Sequence, residues 1–329
     1  MPEQVRQRAL GAFYGLALGD ALGMPTQAMS RDQIAQRYGR VTTLLDAADD
    51  QPVAPGMPAG TITDDTEQAI LLARLFVEGA GRIDPHAFAE ALRAWEADML
   101  RRGSLDLLGP STKRALDQLA AGADPGEAGS TGDTNGAAMR VTPIGIAVRP
   151  GAGLVDAVVQ ASQVTHNTSL GIAAASAIAA AVSTSIDGAS LTVALDEAER
   201  AAEAGARHGH WMPGGEISPR IRWARQWVRG MDAAHLADAI AEVIGTSVAA
   251  QESVVAAIAL AESLGDSPVE ALTLAAEIGG DTDTVAAMCG AILGAQYGVE
   301  GLPGELVDTV RRVNGLDLET LVDDLLKLR

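Results

Sequence analysis

The chain has 329 residues, of which 47% are apolar and only 3% aromatic, and its formal net charge is −19. That length carries one large domain or two of ordinary size, with a sizeable core, and the low aromatic share means a core of Ala, Leu and Val. The acidic balance excludes nonspecific binding to nucleic acid or to an anionic membrane surface, and its plain reading is solubility.

Helical periodicity runs through almost the whole chain. It predicts helices over 3–22, 64–79, 84–101, 110–121, 153–163, 167–184 and 190–204. Further helices are predicted over 217–229, 232–244, 248–264, 267–277, 283–298, 302–314 and 317–328. Alternating patterns are scarce, and 40–45 is at best a short extended piece. The expected fold class is therefore all-α. No linker, internal repeat or low-complexity run divides the chain, so a single domain over 1–329 is expected.

The first helix carries Gly11, Gly15, Gly19 and Gly23 at four-residue spacing, and Gly290, Gly294 and Gly298 repeat the pattern near the end. Residues four apart share one helix face. Each Gly costs about 1 kcal/mol relative to Ala in a helix, and close helix–helix packing is the natural compensation. The spacing also occurs in membrane helix dimers, but Arg6, Arg8 and Asp20 argue against a span. Both helices are expected at the centre of a bundle. The start of the chain lacks a basic segment followed by an apolar one, so no signal peptide is expected. The Ala-rich stretch 170–185 is too short and weak to span a bilayer. The one cysteine, Cys289, rules out an internal disulfide and fits a reducing compartment; a cytoplasmic location is expected.

Asp84-Pro85 and Gly109-Pro110 place Pro in the first turn of a helix. Ser267-Pro268-Val269-Glu270 has the pattern of a capping box. Long loops are predicted at 46–62, 122–137, 144–152 and 205–216. Two of them, at 129–136 and 208–215, have the look of substrate loops.

Two short acidic motifs stand out: Thr63-Asp64-Asp65-Thr66 and Asp281-Thr282-Asp283-Thr284. Each opens an apolar helix. An N-cap role accounts for one Asp well and for two adjacent ones less well. Asp and Thr oxygens are hard ligands, suited to Mg²⁺ or Mn²⁺ rather than zinc. If the two helix starts meet, their carboxylates require cations to stay ionised together. A two-metal hydrolytic centre is the expectation, with Gly279-Gly280 letting the backbone approach a ligand. His166 precedes the Ala-rich helix and reads either as a cap or core residue or as a substrate contact. The other histidines show no zinc-like spacing. There is no serine-hydrolase elbow, phosphate-cradling loop or dinucleotide fingerprint.

Taken together, 15–23 (GLALGDALG), 63–66 (TDDT), 109–112 (GPST), 135–141 (NGAAMRV), Thr165-His166 and 279–284 (GGDTDT) resemble the ADP-ribosylglycohydrolase family. The similarity spans nearly the whole chain. The Gly-Met-Pro start, GPST and the lack of Gly before Asn135 are closer to a bacterial subgroup. The resemblance implies a compact orthogonal helical bundle with a binuclear Mg²⁺ or Mn²⁺ site in a cleft. It implies cleavage of an N- or O-glycosidic bond at the anomeric carbon of a ribose, often in ADP-ribose attached to a protein side chain. By the same resemblance, Thr63, Asp64, Asp65, Asp281, Asp283 and Thr284 hold the metals. Asn135, Gly136, Ala137 and Met139 match a loop around ribose and phosphates. Gly109 and Thr112 match another wall, and His166 a substrate-facing histidine. Trp211 is expected either to stack on a base or to fill its own loop.

One position departs from the family. Many members carry Glu eight residues after the Gly of the first Gly-Asp motif, and counting from Gly19 this chain has Gln27 there. An amide coordinates or donates but does not act as a base, so Asp64, Asp65 or Asp283 is expected to activate water. The leading expectation is hydrolysis of a ribosyl bond in an ADP-ribosylated protein or small acceptor. A nucleosidase acting on a free ribonucleoside is the second reading. A retired protein that binds ADP-ribose, or a structural one, is the third, and Gln27 is the residue that favours it.

Overall fold

The computed structural model of the protein describes residues 2–102 and 108–329. Among the described residues, eighteen α-helices follow one another and no strand is present. In chain order the first nine are α1 (Glu3–Gly23), α2 (Arg31–Arg37), α3 (Asp64–Glu78), α4 (Pro85–Arg101), α5 (Pro110–Ala120), α6 (Pro125–Ala128), α7 (Gly136–Met139), α8 (Thr142–Ala147) and α9 (Ala152–His166). They are followed by α10 (Ser169–Ile186), α11 (Leu191–Gly205), α12 (Ile217–Val228), α13 (Ala233–Ala239), α14 (Ala250–Leu264), α15 (Pro268–Glu277), α16 (Thr282–Tyr297), α17 (Gly304–Asn314) and α18 (Glu319–Leu328). The all-α expectation therefore holds.

The two glycine-spaced helices are the axis of the bundle. α1 and α16 lie antiparallel with their backbones in contact. A Cβ on Gly11 would collide with the carbonyl of Gly294, one on Gly15 with that of Gly290, and one on Gly19 with that of Ala286. This contact explains why four helical glycines persist on one face. It also fixes the site: Gly23, at the end of α1, abuts the backbone of Asp283 at the start of α16. Around this pair packs α10, buried on all sides from Leu170 to Ile186. It is the one helix among the described residues that is long and apolar enough to cross a membrane, and it is wholly enclosed by the fold.

Several local expectations are corrected. The stretch 40–45 forms no strand. The predicted loop at 144–152 is partly helical, because Pro143 sits in the first turn of α8. α2 was not predicted, although Ser30 and Gln33 form a reciprocal capping box there. The box expected at Ser267 does not form: Ser267 starts α15 without a side-chain bond, its backbone turned away from the usual extended cap geometry.

Candidate active site

α3 begins at Thr63, whose extended backbone ends the preceding loop and whose hydroxyl accepts from the Asp65 amide at 3.4 Å. A carboxylate from α1 clasps this turn. Asp20 accepts from the amides of Thr63 and Thr66 and from both their hydroxyls, at 2.5 to 3.1 Å. An anion at a helix N-terminus satisfies orphan N–H groups and complements the dipole. Burial still pushes the Asp20 pKa up to about 6, against the lowering by these four donors.

α16 begins differently. Gly279 and Gly280 take φ of +79° and +76°, a region that favours glycine. Their turn is tied to the segment after α1: the Gly280 amide donates to Met29 at 2.9 Å and Ala28 donates to Gly280 at 2.7 Å. A Cβ on Gly280 would collide with the Thr246 carbonyl, which instead accepts from the Asp281 amide at 2.7 Å. The buried hydroxyls of Thr26 and Thr282 stand 3.0 Å apart beside the Gly23 carbonyl. Backbone packing thus sets the position of Asp281 and Asp283.

The motifs, 219 residues apart in sequence, touch: the Thr284 hydroxyl donates to Asp65 Oδ2 at 3.2 Å. Burial raises the Asp65 pKa well above the usual carboxylate range, and the charges of Asp283, Asp64, Asp20 and Asp281 add to it. Five carboxylates therefore share one field. Asp281 is raised to about 6 by burial, in opposition to hydrogen bonds from Asn135 and Thr284. Asp65 Oδ1 is buried without a hydrogen-bond partner.

A cavity of about 480 Å³ opens over this cluster. Asp64, Asp281, Asp283 and Thr284 line it together with Gly109, Thr112, Asn135, Gly136 and Met139. Asn135 is anchored by its amide, which donates to Asp281 Oδ2 and to Ser253 Oγ. Gln27 also lines the cavity; its carbonyl accepts from Gln51 at 2.8 Å, and its amide Nε2 is buried with no partner. Two more voluminous grooves elsewhere are lined by neither acidic motif. Thr63 and Asp65 lie behind the cavity wall, each fully buried.

Three predicted substrate contacts fall elsewhere. His166 is fully buried and absent from the cavity lining. Both its ring nitrogens are engaged by hydroxyls, Nδ1 with Thr165 at 2.8 Å and Nε2 with Thr134 at 2.9 Å. It supports Gly136 from below, where an added Cβ would press on its ring. Ala137 is likewise buried, in the turn behind Gly136. Trp211 is 79% exposed, in a loop tied through His210 to Asn167 and Ser169, and it does not line the cavity.

Sequence reasoning missed Asp20 as a site residue, although it is the one charged residue between Ala9 and Gly23. It also missed a buried polar chain. Gln68 Nε2 donates to Asp64 at 2.8 Å, and Gln68 Oε1 accepts from Arg140 at 3.1 Å. The Arg140 guanidinium stacks over Phe88 and donates to Thr165 Oγ1 at 2.5 Å. Burial lowers its pKa to about 10, and the charge of Asp64 opposes that.

Known proteins with this pattern point one way. The family model described as ADP-ribosylglycohydrolase matches residues 1–329. The Escherichia coli K12 protein YegU, itself of uncharacterised function, is 34% identical over 98% of this chain and 97% of its own. The ADP-ribosyl-dinitrogen reductase glycohydrolase of Rhodospirillum rubrum is 28% identical over 98% of this chain and 97% of its own. A solved ADP-ribosylglycohydrolase-related protein complex superposes with a TM-score of 0.68 and 25% identity, covering 99% of both chains.

Proposed function

This chain belongs to the ADP-ribosylglycohydrolase family, and from that premise we propose that it hydrolyses the bond between the anomeric carbon of ADP-ribose and a protein side chain or small acceptor. It is a glycosidic-bond hydrolase. The observation that supports the substrate reading is the meeting of the two acidic motifs at a cavity whose remaining lining is uncharged. A relative's dinitrogen reductase substrate makes a protein-linked ADP-ribose the first one to test.

The cluster fits divalent cations by its chemistry. Every donor is a hard oxygen, Asp65 Oδ1 has no hydrogen-bond partner, and carboxylate pKa values are raised where no cation compensates them. No three Asp, Glu, His or Cys groups among the described residues form a cage by themselves. The residues that would hold the ions are Asp64, Asp65, Asp281 and Asp283 together with the hydroxyls of Thr63 and Thr284. Two Mg²⁺ or Mn²⁺ ions held there would supply the Lewis acidity that lowers the pKa of a water.

The chain's own residues do the rest. Asp283, at the cavity wall, orients water toward the anomeric carbon, with Asp65 behind it. A carboxylate with a raised pKa is the stronger base, which suits Asp65 to take the proton. The carboxylate field stabilises the positive charge that grows on the ribose as the bond breaks. Asn135, pinned to Asp281 and Ser253, holds a fixed amide beside the ribose. Gln27 takes no proton, and it acts as a neutral donor.

The test is a product assay by mass spectrometry, with Mg²⁺ or Mn²⁺ and with EDTA. The panel holds ADP-ribosyl-arginine and ADP-ribosyl-serine peptides, O-acetyl-ADP-ribose and common ribonucleosides. Metal-dependent release of ADP-ribose is expected. Release of plain ribose makes the protein a nucleosidase, and product unchanged by EDTA removes the metal from the reading.

A further inference from the structure

We infer that Thr134 is a substrate-recognition residue whose hydroxyl is held as a donor into the cavity by the buried chain of Arg140, Thr165 and His166. The inference rests on the ADP-ribose reading of the same cavity and adds to it a residue and a hydrogen-bond direction. The argument follows protons along the chain. Arg140 has donors only, so its contact with Thr165 makes the Thr165 oxygen an acceptor. The Thr165 proton then has one acceptor among its described partners, His166 Nδ1 at 2.8 Å. His166 is neutral, because burial and the neighbouring charge of Arg140 both disfavour a second proton. With Nδ1 accepting, its proton sits on Nε2 and is donated to Thr134 Oγ1 at 2.9 Å.

Thr134 lines the cavity, and its oxygen has no other hydrogen-bond partner among the described residues. Its own proton is left to point at a ligand. The group it suits is an oxygen that accepts without needing to donate, such as a phosphate oxygen. Thr134 shares the uncharged part of the lining with Thr112 and Gly136. Arg140, Thr165 and His166 are positioning residues: none of them lines the cavity.

Two measurements test this. Long-range ¹H–¹⁵N NMR of the Mg²⁺-loaded protein, with His166 assigned by His166→Gln, reads the tautomer directly. The expected state is Nε2–H, and a proton on Nδ1 overturns the inference whatever the ligand. Calorimetric titration with ADP-ribose, in Mg²⁺ throughout, compares wild type with Thr134→Val and Thr134→Ser. Thr134→Val is expected to bind about tenfold more weakly, the size of one lost hydrogen bond, while Thr134→Ser stays within about twofold. Thermal unfolding should be nearly unchanged in Thr134→Ser and shifted to lower temperature in Thr134→Val, which leaves the buried Nε2–H of His166 without its acceptor. A Thr134→Val protein that binds like a wild type which itself binds ADP-ribose overturns the recognition role alone. A wild type that does not bind ADP-ribose overturns the ADP-ribose reading, and the recognition role with it, even where the tautomer is as expected.

Discussion

The starts of α3 and α16 bring the same residue types to one cavity and are held there by different physics. The α3 motif hangs on hydrogen bonds to a single buried charge, Asp20, and rests on Gln68 and Arg140. The α16 motif is set by backbone against backbone, through the glycine seam with α1 and the Gly279-Gly280 turn. A polar clasp can be weakened by removing one atom's charge, with local consequences. A glycine seam cannot be changed without moving two helices. The difference teaches that a carboxylate cluster needs at least one support independent of charge, since charge alone drives its members apart.

The comparison can be broken or sharpened by experiment, beginning with the largest effect. Asp65→Asn and Asp283→Asn come from opposite motifs and should be equivalent in chemistry: each is expected to lower turnover by about 100-fold or more, with helicity by circular dichroism intact. Full activity in either variant removes that motif from the reaction. Support, by contrast, should be unequal. Gly15→Val drives a branched side chain into the Gly290 carbonyl and is expected to destabilise by about 3 kcal/mol or more in urea unfolding. Asp20→Asn keeps one acceptor oxygen and loses the charge, for about 1–2 kcal/mol in the same assay, with weaker Mg²⁺ protection against heat. If Asp20→Asn proves as damaging as Gly15→Val, the two supports are not distinct.

Acidity probes the cluster itself. Asp20 and Asp281 have pKa values near 6 in the folded protein against an ordinary 3.8. The folded state thus binds their protons more tightly than the unfolded state. Their stabilisation is full below about pH 4 and is lost as pH rises through about 6, on the order of 3 kcal/mol for each group. In EDTA, urea unfolding is expected to show greater stability at pH 5 than at pH 7, with Mg²⁺ closing the gap at pH 7. Exposed Asp50, Asp232 and Asp323 are shifted downward and oppose this trend weakly, being screened by solvent. A metal-free protein that is more stable at pH 7 contradicts the raised values. The smallest effect is the control for the seam: Gly153→Ala, in α9 with no neighbouring atom within 4 Å, should be neutral or stabilise by up to about 0.5 kcal/mol.

Most helices were legible because apolar periodicity and helix-start signals are local properties. The segments that escaped were short: α2, whose Ser30 and Gln33 signal was available, α6 and α7, which fall in or at the end of the loop predicted at 122–137, and α8, hidden by a Pro that belongs in a first turn. The glycine stripe was legible as a demand for close packing, but its partner was not named by the sequence. Among site residues, the two acidic motifs drew attention through unusual local density of charge. His166 and Trp211 misled, since a histidine beside a loop and a tryptophan within one look alike whether they face a ligand, the core or solvent. Thr134, Gln68 and Arg140 are ordinary in sequence, and their roles are visible only as a chain of contacts.

The sequence by itself determined the helical class, the two hard-oxygen motifs and the face on which α1 and α16 must be bare. These follow from spacing along one chain, where 3.6 residues per turn relate neighbours to one another. Only the tertiary structure decided that Asp65 and Thr284 touch, that Asp20 clasps a motif 43 residues away, and that Arg140 lies buried beneath Asp64. Those are meetings between distant segments, set by how the core packs, and no local spacing encodes them.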